Sequence, residues 1–128
     1  MNLDLFNGYF WYQDKLYKDL PKDLFPQEYN PETYTPILKE LNGCFRVVVN
    51  SDNYIFAAVD RIRSFPLFFC QKEKDLFISA DAFELKKHLI NPEFDSLTFT
   101  EFLLTTHTCH NDTLYPEIKQ LEAGQFLI

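Results

Sequence analysis

The chain has 128 residues, the size of one domain, and 19 acidic against 12 basic side chains give it a formal net charge of -7. Hydrophobic residues make up 46% and aromatic residues 17% of the sequence, which excludes a disordered or fibrous protein and predicts a buried core. The acidic balance and the lack of a basic run disfavour nucleic acid and anionic membranes as partners.

The sequence also predicts a cytoplasmic location. It contains no apolar stretch that approaches 18 residues, and its first ten residues lack the basic start of a secretion signal. Its three cysteines, Cys44, Cys70 and Cys109, are odd in number and unrelated in spacing. This pattern is typical of reduced thiols and not of a disulfide framework.

The first third of the chain predicts a hairpin, a loop and a helix. The aromatic run Phe6 to Tyr12 is followed by a polar turn and by Leu16 and Tyr17, which predicts two paired strands. Prolines then mark a loop, at Pro21, Pro26, Pro31 and Pro36. A helix is predicted from about Pro31 to Leu41, with Asn30 as its N-cap and Asn42-Gly43 as its end.

The centre of the chain predicts a sheet that is covered on both faces. Four short apolar runs are separated by polar turns and are expected to be strands: Cys44 to Val49, Tyr54 to Val59, Pro66 to Cys70 and Leu76 to Ser79. In the first run, Phe45, Val47 and Val49 point to one face, and Cys44 and Val48 to the other. Since both faces are apolar, both must be buried.

Helices and extended segments are predicted for the remainder. Ala82, Leu85 and Leu89 share one face of a first amphipathic helix. A second helix carries Phe99, Phe102 and Leu103, and its Thr98 and Glu101 have the spacing of a capping box. Residues 113–128 read as extended segments around a turn at 122–124. The pattern as a whole predicts a single α+β domain over residues 1–128.

Four segments between Leu41 and Ile128 resemble, in order, the second half of the glutaminase domain of asparagine synthetases. They are Leu41-Asn42-Gly43-Cys44-Phe45, the run Asp60-Arg61-Ile62-Arg63-Ser64-Phe65-Pro66-Leu67-Phe68-Phe69, Leu76 to Asp81, and a closing segment with Phe102 to Leu104, Asn111 to Tyr115 and Ile118 to Gly124. The resemblance implies the fold of N-terminal-nucleophile (Ntn) hydrolases, in which antiparallel sheets stack between helices. It also implies that the N-terminal half is shortened to a hairpin and one helix.

The resemblance further implies how glutamine would be hydrolysed and which parts are missing. The family's nucleophile is a cysteine at the very N-terminus, whereas position 2 is Asn2 here, and a carboxamide cannot act as an attacking thiolate. The family's N-G-E loop and acidic glutamine-binding segment are not found before Leu41, because Asn7-Gly8 is followed by Tyr9. We therefore expect no catalytic residue in this chain.

The resemblance leads to one main hypothesis and two alternatives. The main hypothesis is a degenerate glutaminase-like domain that acts as scaffold or interface for the ATP-dependent synthetase domain of an asparagine synthetase-type amidotransferase, with self-association into homo-oligomers. Only three glycines occur, so no phosphate-binding loop and no cofactor are expected. The alternatives are an active Ntn amidohydrolase, if the natural N-terminus differs, and a stand-alone interaction module.

Two groups of internal residues could suggest other chemistry. Cys44 and Cys70 lie in predicted strands without a spaced base, which is typical of small core residues. The cluster His107-Thr108-Cys109-His110 offers three metal-binding side chains but no fourth ligand at the usual spacing. No metal site is predicted.

The segment from Asp60 to Pro66 is interpreted as structural or as a domain interface. Asp60 is expected to pair with Arg61 or Arg63 and to hold the turn that precedes Pro66. Anion binding is the alternative for these charges.

Overall fold

The computed structural model describes residues 4–21, 23–25, 28 and 30–128. Asn2 and Pro26, on which two sequence interpretations rest, lie outside the described residues. The chain divides into two compact units, Met1–Phe65 with Ala123–Ile128, and Pro66–Glu122. The elements, in chain order, are β1 (Leu5–Tyr12), β2 (Lys15–Tyr17), α1 (Pro31–Glu40), β3 (Asn42–Asn50), β4 (Ile55–Val59), β5 (Phe68–Lys72), β6 (Asp75–Ser79), α2 (Ala82–Leu85), α3 (Ser96–Thr105), β7 (Ile118–Gln120) and β8 (Phe126–Leu127).

The first unit contains an antiparallel sheet in the order β2-β1-β3-β4-β8. The predicted hairpin is confirmed as β1 and β2, with Trp11 opposite Leu16. Gln13 and Asp14 connect the strands with φ of 49° and 59°, the left-handed conformation that two-residue hairpin turns require. The final strand, β8, returns to pair with β4 at the edge of this sheet.

Helix α1 follows the predicted pattern at its start but not at its end. The Asn30 side chain accepts a hydrogen bond from the Glu32 backbone N–H at 2.8 Å, and Pro31 opens the helix, as the sequence predicts. The helix ends at Glu40, within one residue of the predicted end at Leu41, but the predicted closure by Asn42-Gly43 is wrong, because Leu41 is already extended and Asn42 begins β3. Gly43 belongs to the sheet, where a Cβ would lie 2.3 Å from the Tyr9 carbonyl oxygen.

Aromatic side chains fill the core between α1 and the sheet. Tyr34 of α1 and Phe56 of β4 have ring centroids 5.1 Å apart, and Phe25 lies 5.0 Å from Phe56. Phe10 and Phe45 complete the cluster at 5.6 Å. Val47 is buried beside Phe45 in the same cluster, which agrees with the predicted facing of that strand.

The second unit holds a smaller antiparallel sheet in the order β6-β5-β7. Its core contains Cys70, Leu85, Tyr115 and Ile118. The helix predicted to continue to Leu89 is shorter, since α2 ends at Leu85 and residues 86–88 form a 3-10 turn.

Helix α3 belongs to the second unit and differs from its predicted form. Asp95 is its N-cap and accepts hydrogen bonds from both the backbone N–H and the hydroxyl of Thr98 at 2.8 Å. Thr98 therefore lies inside the helix, and the predicted capping box is wrong. None of the ten residues of α3 is buried, so its apolar side chains do not form the predicted core-facing stripe.

The structure confirms the α+β class, with two antiparallel sheets and three α-helices among the described residues. These are compatible with the Ntn-hydrolase-like fold that the resemblance implies. No helix in the described part of the chain is long and apolar enough to span a bilayer.

Gly8 provides a direct test of the close approach between β1 and β3. It has a φ of 96°, and a Cβ there would lie 2.0 Å from the backbone oxygen of Cys44. We expect Gly8→Ala to lower the free energy of unfolding by about 2 to 4 kcal/mol, because backbone strain and a steric clash combine.

Gly124→Ala is the matched control, since Gly124 also has a positive φ, 71°, but a Cβ would only approach the Arg61 Cα at 3.8 Å. Its cost should be about 1 kcal/mol. Urea denaturation of both variants measures the difference. Equal losses would contradict the steric account of Gly8.

Candidate functional site

Asp60 ends β4 and organises the turn that follows it. Its side chain is 2% exposed, and its carboxylate accepts hydrogen bonds from the backbone N–H groups of Phe45 at 3.0 Å, Ile62 at 2.9 Å and Ser64 at 3.0 Å. A buried carboxylate is costly unless such donors replace the lost water. The turn is therefore built around this one anion.

The main chain of Asp60 joins three parts of the first unit. Its N–H donates to the Phe45 carbonyl at 3.0 Å, and its carbonyl accepts from the N–H groups of Arg63 at 3.0 Å and Gly124 at 2.8 Å. Arg63 has a φ of 53°, so the chain reverses within four residues of the strand. The predicted structural role of Asp60 acts through backbone amides, and an ion pair with Arg63 stays a prediction.

Arg61 and Pro66 have different surroundings from Asp60. The Nη2 group of Arg61 donates to the carbonyl of Lys39 at 2.8 Å, in the last turn of α1. A guanidinium at this position stabilises carbonyl groups that the helix leaves without partners. Pro66 begins the second unit and is half-buried. A domain-interface role for these residues remains a prediction.

A cavity of about 650 Å³ lies beside the Asp60 turn, within the first unit. Apolar side chains supply much of its wall, and polar and charged groups lie among them. The lining residues used below are Tyr9, Leu38, Lys39, Leu41, Gly43, Cys44, Phe45, Ala58, Asp60, Arg61, Ile62, Gly124 and Phe126.

Tyr9 and Cys44 face each other across β1 and β3 at the edge of this cavity. Their side chains form a hydrogen bond, and this contact raises the pKa of the Tyr9 phenol above its usual value. The Tyr9 phenol therefore stays protonated near neutral pH. Such a phenol does not act as a base toward the neighbouring thiol.

The other two thiols also lack activation. Burial, followed by the charge of Glu117, raises the pKa of Cys70. A hydrogen bond with Glu101 is the main cause that raises the pKa of Cys109, with smaller contributions from burial and from the charges of Glu101 and Asp112. All three cysteines are free thiols, and the raised pKa values of Cys70 and Cys109 disfavour the nucleophilic thiolate in these two.

The remaining sequence candidates are spread over the two units. Asn7 accepts a hydrogen bond from Arg46 Nε at 2.7 Å, and the Arg46 guanidinium lies over the Phe65 ring. His107 Nδ1 hydrogen bonds to the Thr105 carbonyl at 2.8 Å. Within residues 4–21, 23–25, 28 and 30–128, no three histidine, cysteine or acidic side chains come together as metal ligands.

Sequence reasoning missed three residues of this region. The sequence predicts only that Tyr9 belongs to a strand and Lys39 to a helix. It places Gly124 in a closing turn, 64 positions after Asp60. Only the fold brings them to one cavity. The presence of Gly124 near the end of a matching segment was the one available signal.

Comparison with known proteins finds one family. Residues 30–128 match the family model described as a glutamine amidotransferase domain. The match includes β3, β4 and the Asp60 turn, and it continues through the whole of the second unit. No curated protein and no solved structure matches the chain.

Removing the Asp60 carboxylate should destabilise the fold. Asp60→Ala leaves three backbone N–H groups without their acceptor, and we expect a loss of about 3 kcal/mol in the free energy of unfolding. Asp60→Asn keeps one acceptor oxygen and should cost about half as much.

Asp52→Ala is the control for the loss of one negative charge, because Asp52 is exposed in the turn between β3 and β4. Its effect should stay within about 0.5 kcal/mol. Calorimetry or urea denaturation measures all three variants. Equal stability of Asp60→Ala and wild type would show that the amides find other partners.

Proposed function

Because this chain belongs to the glutamine amidotransferase domain family, we propose that it is a glutaminase-like domain that does not hydrolyse glutamine and that serves an ATP-dependent synthetase domain as a scaffold. The parent protein would be an amidotransferase of the asparagine synthetase type, located in the cytoplasm. The family match extends over both compact units, which supports their belonging to one domain. Asp60, Arg61, Arg63 and Pro66 would order the edge that faces the synthetase domain.

The state of the three thiols carries the proposed loss of hydrolysis. Attack on the carboxamide of glutamine by cysteine requires a thiolate and a base that accepts its proton. Cys70 and Cys109 have raised pKa values, and the hydrogen-bond partner of Cys44 is a phenol whose own pKa is raised. None of these thiols has the surroundings of a nucleophile.

The surface of α3 supports the proposed scaffold role. Its side chains include Leu97, Leu103 and Leu104, which are 78%, 65% and 80% exposed. Its one charged residue, Glu101, accepts a hydrogen bond from the Cys109 N–H, within the same unit. A helix that is apolar and exposed in this way is typical of a protein–protein contact.

This surface would dock the synthetase domain. When that domain is absent, the same surface would bury itself against a second copy, which accounts for the expected homo-oligomer. The proposal thus assigns folding to the Asp60 turn and assembly to α3.

The purified chain should release no ammonia from L-glutamine above a buffer blank. A chloroketone analogue of glutamine should likewise form no adduct detectable by mass spectrometry, because the raised pKa values of Cys70 and Cys109 disfavour a thiolate and the hydrogen-bond partner of Cys44 is a phenol with a raised pKa. Cys44→Ser is the control that assigns any residual signal to the half-buried thiol. Ammonia release by the wild-type chain would favour the alternative of an active amidohydrolase, and its loss in Cys44→Ser would assign that activity to Cys44.

The isolated chain should form oligomers in sedimentation experiments, and Leu104→Glu should shift it to monomers. A charge placed on the apolar face of α3 would have to be desolvated in the contact. Phe83→Glu is the matched control, because Phe83 of α2 is 74% exposed but lies outside α3. A monomeric wild-type chain at high concentration would contradict the proposal.

A further inference from the structure

The cavity beside the Asp60 turn has the properties of a small-molecule site, a role that the proposed function does not assign to it. Its volume of about 650 Å³ falls inside the range of roughly 300 to 1,000 Å³ that is typical of small-molecule sites. All of its lining residues belong to the first unit, and none of them belongs to α3.

The walls of the cavity favour an apolar ligand. Leu38 and Leu41 line it from the end of α1, Phe45 and Ala58 from the sheet, and Phe126 from β8. Binding sites commonly combine such apolar walls with a few polar groups that orient the ligand. Here Tyr9 is one of the residues with a polar group that line the cavity.

The charges around the cavity favour an anion over a cation. The carboxylate of Asp60 is occupied by three backbone N–H donors and is 2% exposed, so it offers no free oxygen to a ligand. The cations Lys39 and Arg61 are exposed, and the ion pair between Lys119 and Asp112 involves neither of them. These two cations therefore set the charge that a ligand meets.

Arg61 is also held in position. Its hydrogen bond to the Lys39 carbonyl fixes one nitrogen of the guanidinium at the end of α1. A guanidinium restrained in this way loses less entropy when it binds a carboxylate than a free side chain does. The same hydrogen bond would exist if Arg61 only capped the helix, so an experiment must separate the two roles.

We propose that this cavity binds a small apolar molecule with one carboxylate group, held by its chain against Leu38, Leu41, Ala58 and Phe126 and by its carboxylate at Lys39 and Arg61. Sodium octanoate and 1-octanol are suitable probes, since they share an eight-carbon chain and differ in charge. L-Glutamine is the polar comparison.

The three glycines of the chain allow ligand binding to be measured by NMR. Glycine labelled with ¹⁵N gives amide signals from Gly8, Gly43 and Gly124 alone, and the last two line the cavity while Gly8 does not. Octanoate should shift the Gly43 and Gly124 signals, with an affinity about tenfold higher than that of octanol. The Gly8 signal serves as the internal reference.

Variants then separate binding from capping. Arg61→Gln should remove most of the preference for octanoate, Arg61→Lys should keep it, and Leu38→Trp should block both probes by filling the cavity. Lys87→Gln is the matched control for a charge lost at an exposed position outside the cavity. If Arg61→Gln does not fold, Lys39→Gln should still reduce the preference, because Lys39 is exposed and its hydrogen-bonding carbonyl is unchanged.

Three results would overturn the proposal. They are equal affinity for octanoate and octanol, shifts caused by L-glutamine but not by octanoate, and unchanged Gly43 and Gly124 signals with either apolar probe. A loss of stability in Arg61→Gln with an unchanged preference for octanoate would assign Arg61 to helix capping alone. These outcomes are independent of the glutaminase assay, so either proposal can fail without the other.

Discussion

The first unit depends on one buried carboxylate. Asp60 exchanges hydrogen bonds with both backbone groups of Phe45, and its carbonyl accepts the N–H of Gly124. The anion can remain buried because three N–H dipoles point at it, and these amides in turn need an acceptor that water no longer supplies. Segments that are distant in sequence are thereby tied to the end of one strand, and β8 is brought to its place beside β4.

The cavity is a consequence of this turn and of small side chains next to it. After Asp60 the chain leaves the sheet, with Ile62 75% exposed and Arg61 directed to the end of α1. Ala58 is the last residue of β4 that faces the core before the chain leaves the sheet. Its small side chain leaves space that a larger side chain would fill. The same geometry that satisfies the buried anion thus creates an apolar space with cations at its rim.

The sequence predicted local structure well where one physical signal dominated. The hairpin at β1 and β2 follows from the aromatic run with its polar turn, and the start of α1 follows from Asn30-Pro31, and both are confirmed. The end of α1 was misread because Gly43, a residue common after helices, is required here by the close approach of Tyr9 across the sheet. The capping box at Thr98 failed for a related reason, since Asp95 offered a better cap three residues earlier.

The site could be predicted only in part. The sequence predicts a structural or interface role for Asp60 with Arg61 or Arg63 as its partner, whereas its carboxylate accepts hydrogen bonds from backbone amides, which no side-chain pattern reveals. The cavity joins residues from β1, α1, β3, β4 and the turn before β8, and their proximity depends on strand order. Periodicity predicts which face a residue occupies and does not predict which strands become neighbours.

Helix α3 poses a different physical question from the rest of the second unit. It contributes no buried side chain to the core of Cys70, Leu85, Tyr115 and Ile118, so its leucines add little hydrophobic stabilisation to folding. Polar side chains in place of Leu97 and Leu104 would be compatible with folding and would also increase the solubility of the chain. The apolar sequence of α3 is what the proposed contact with a partner would require, and changes on this helix should separate assembly from stability in a way that changes at Asp60 cannot.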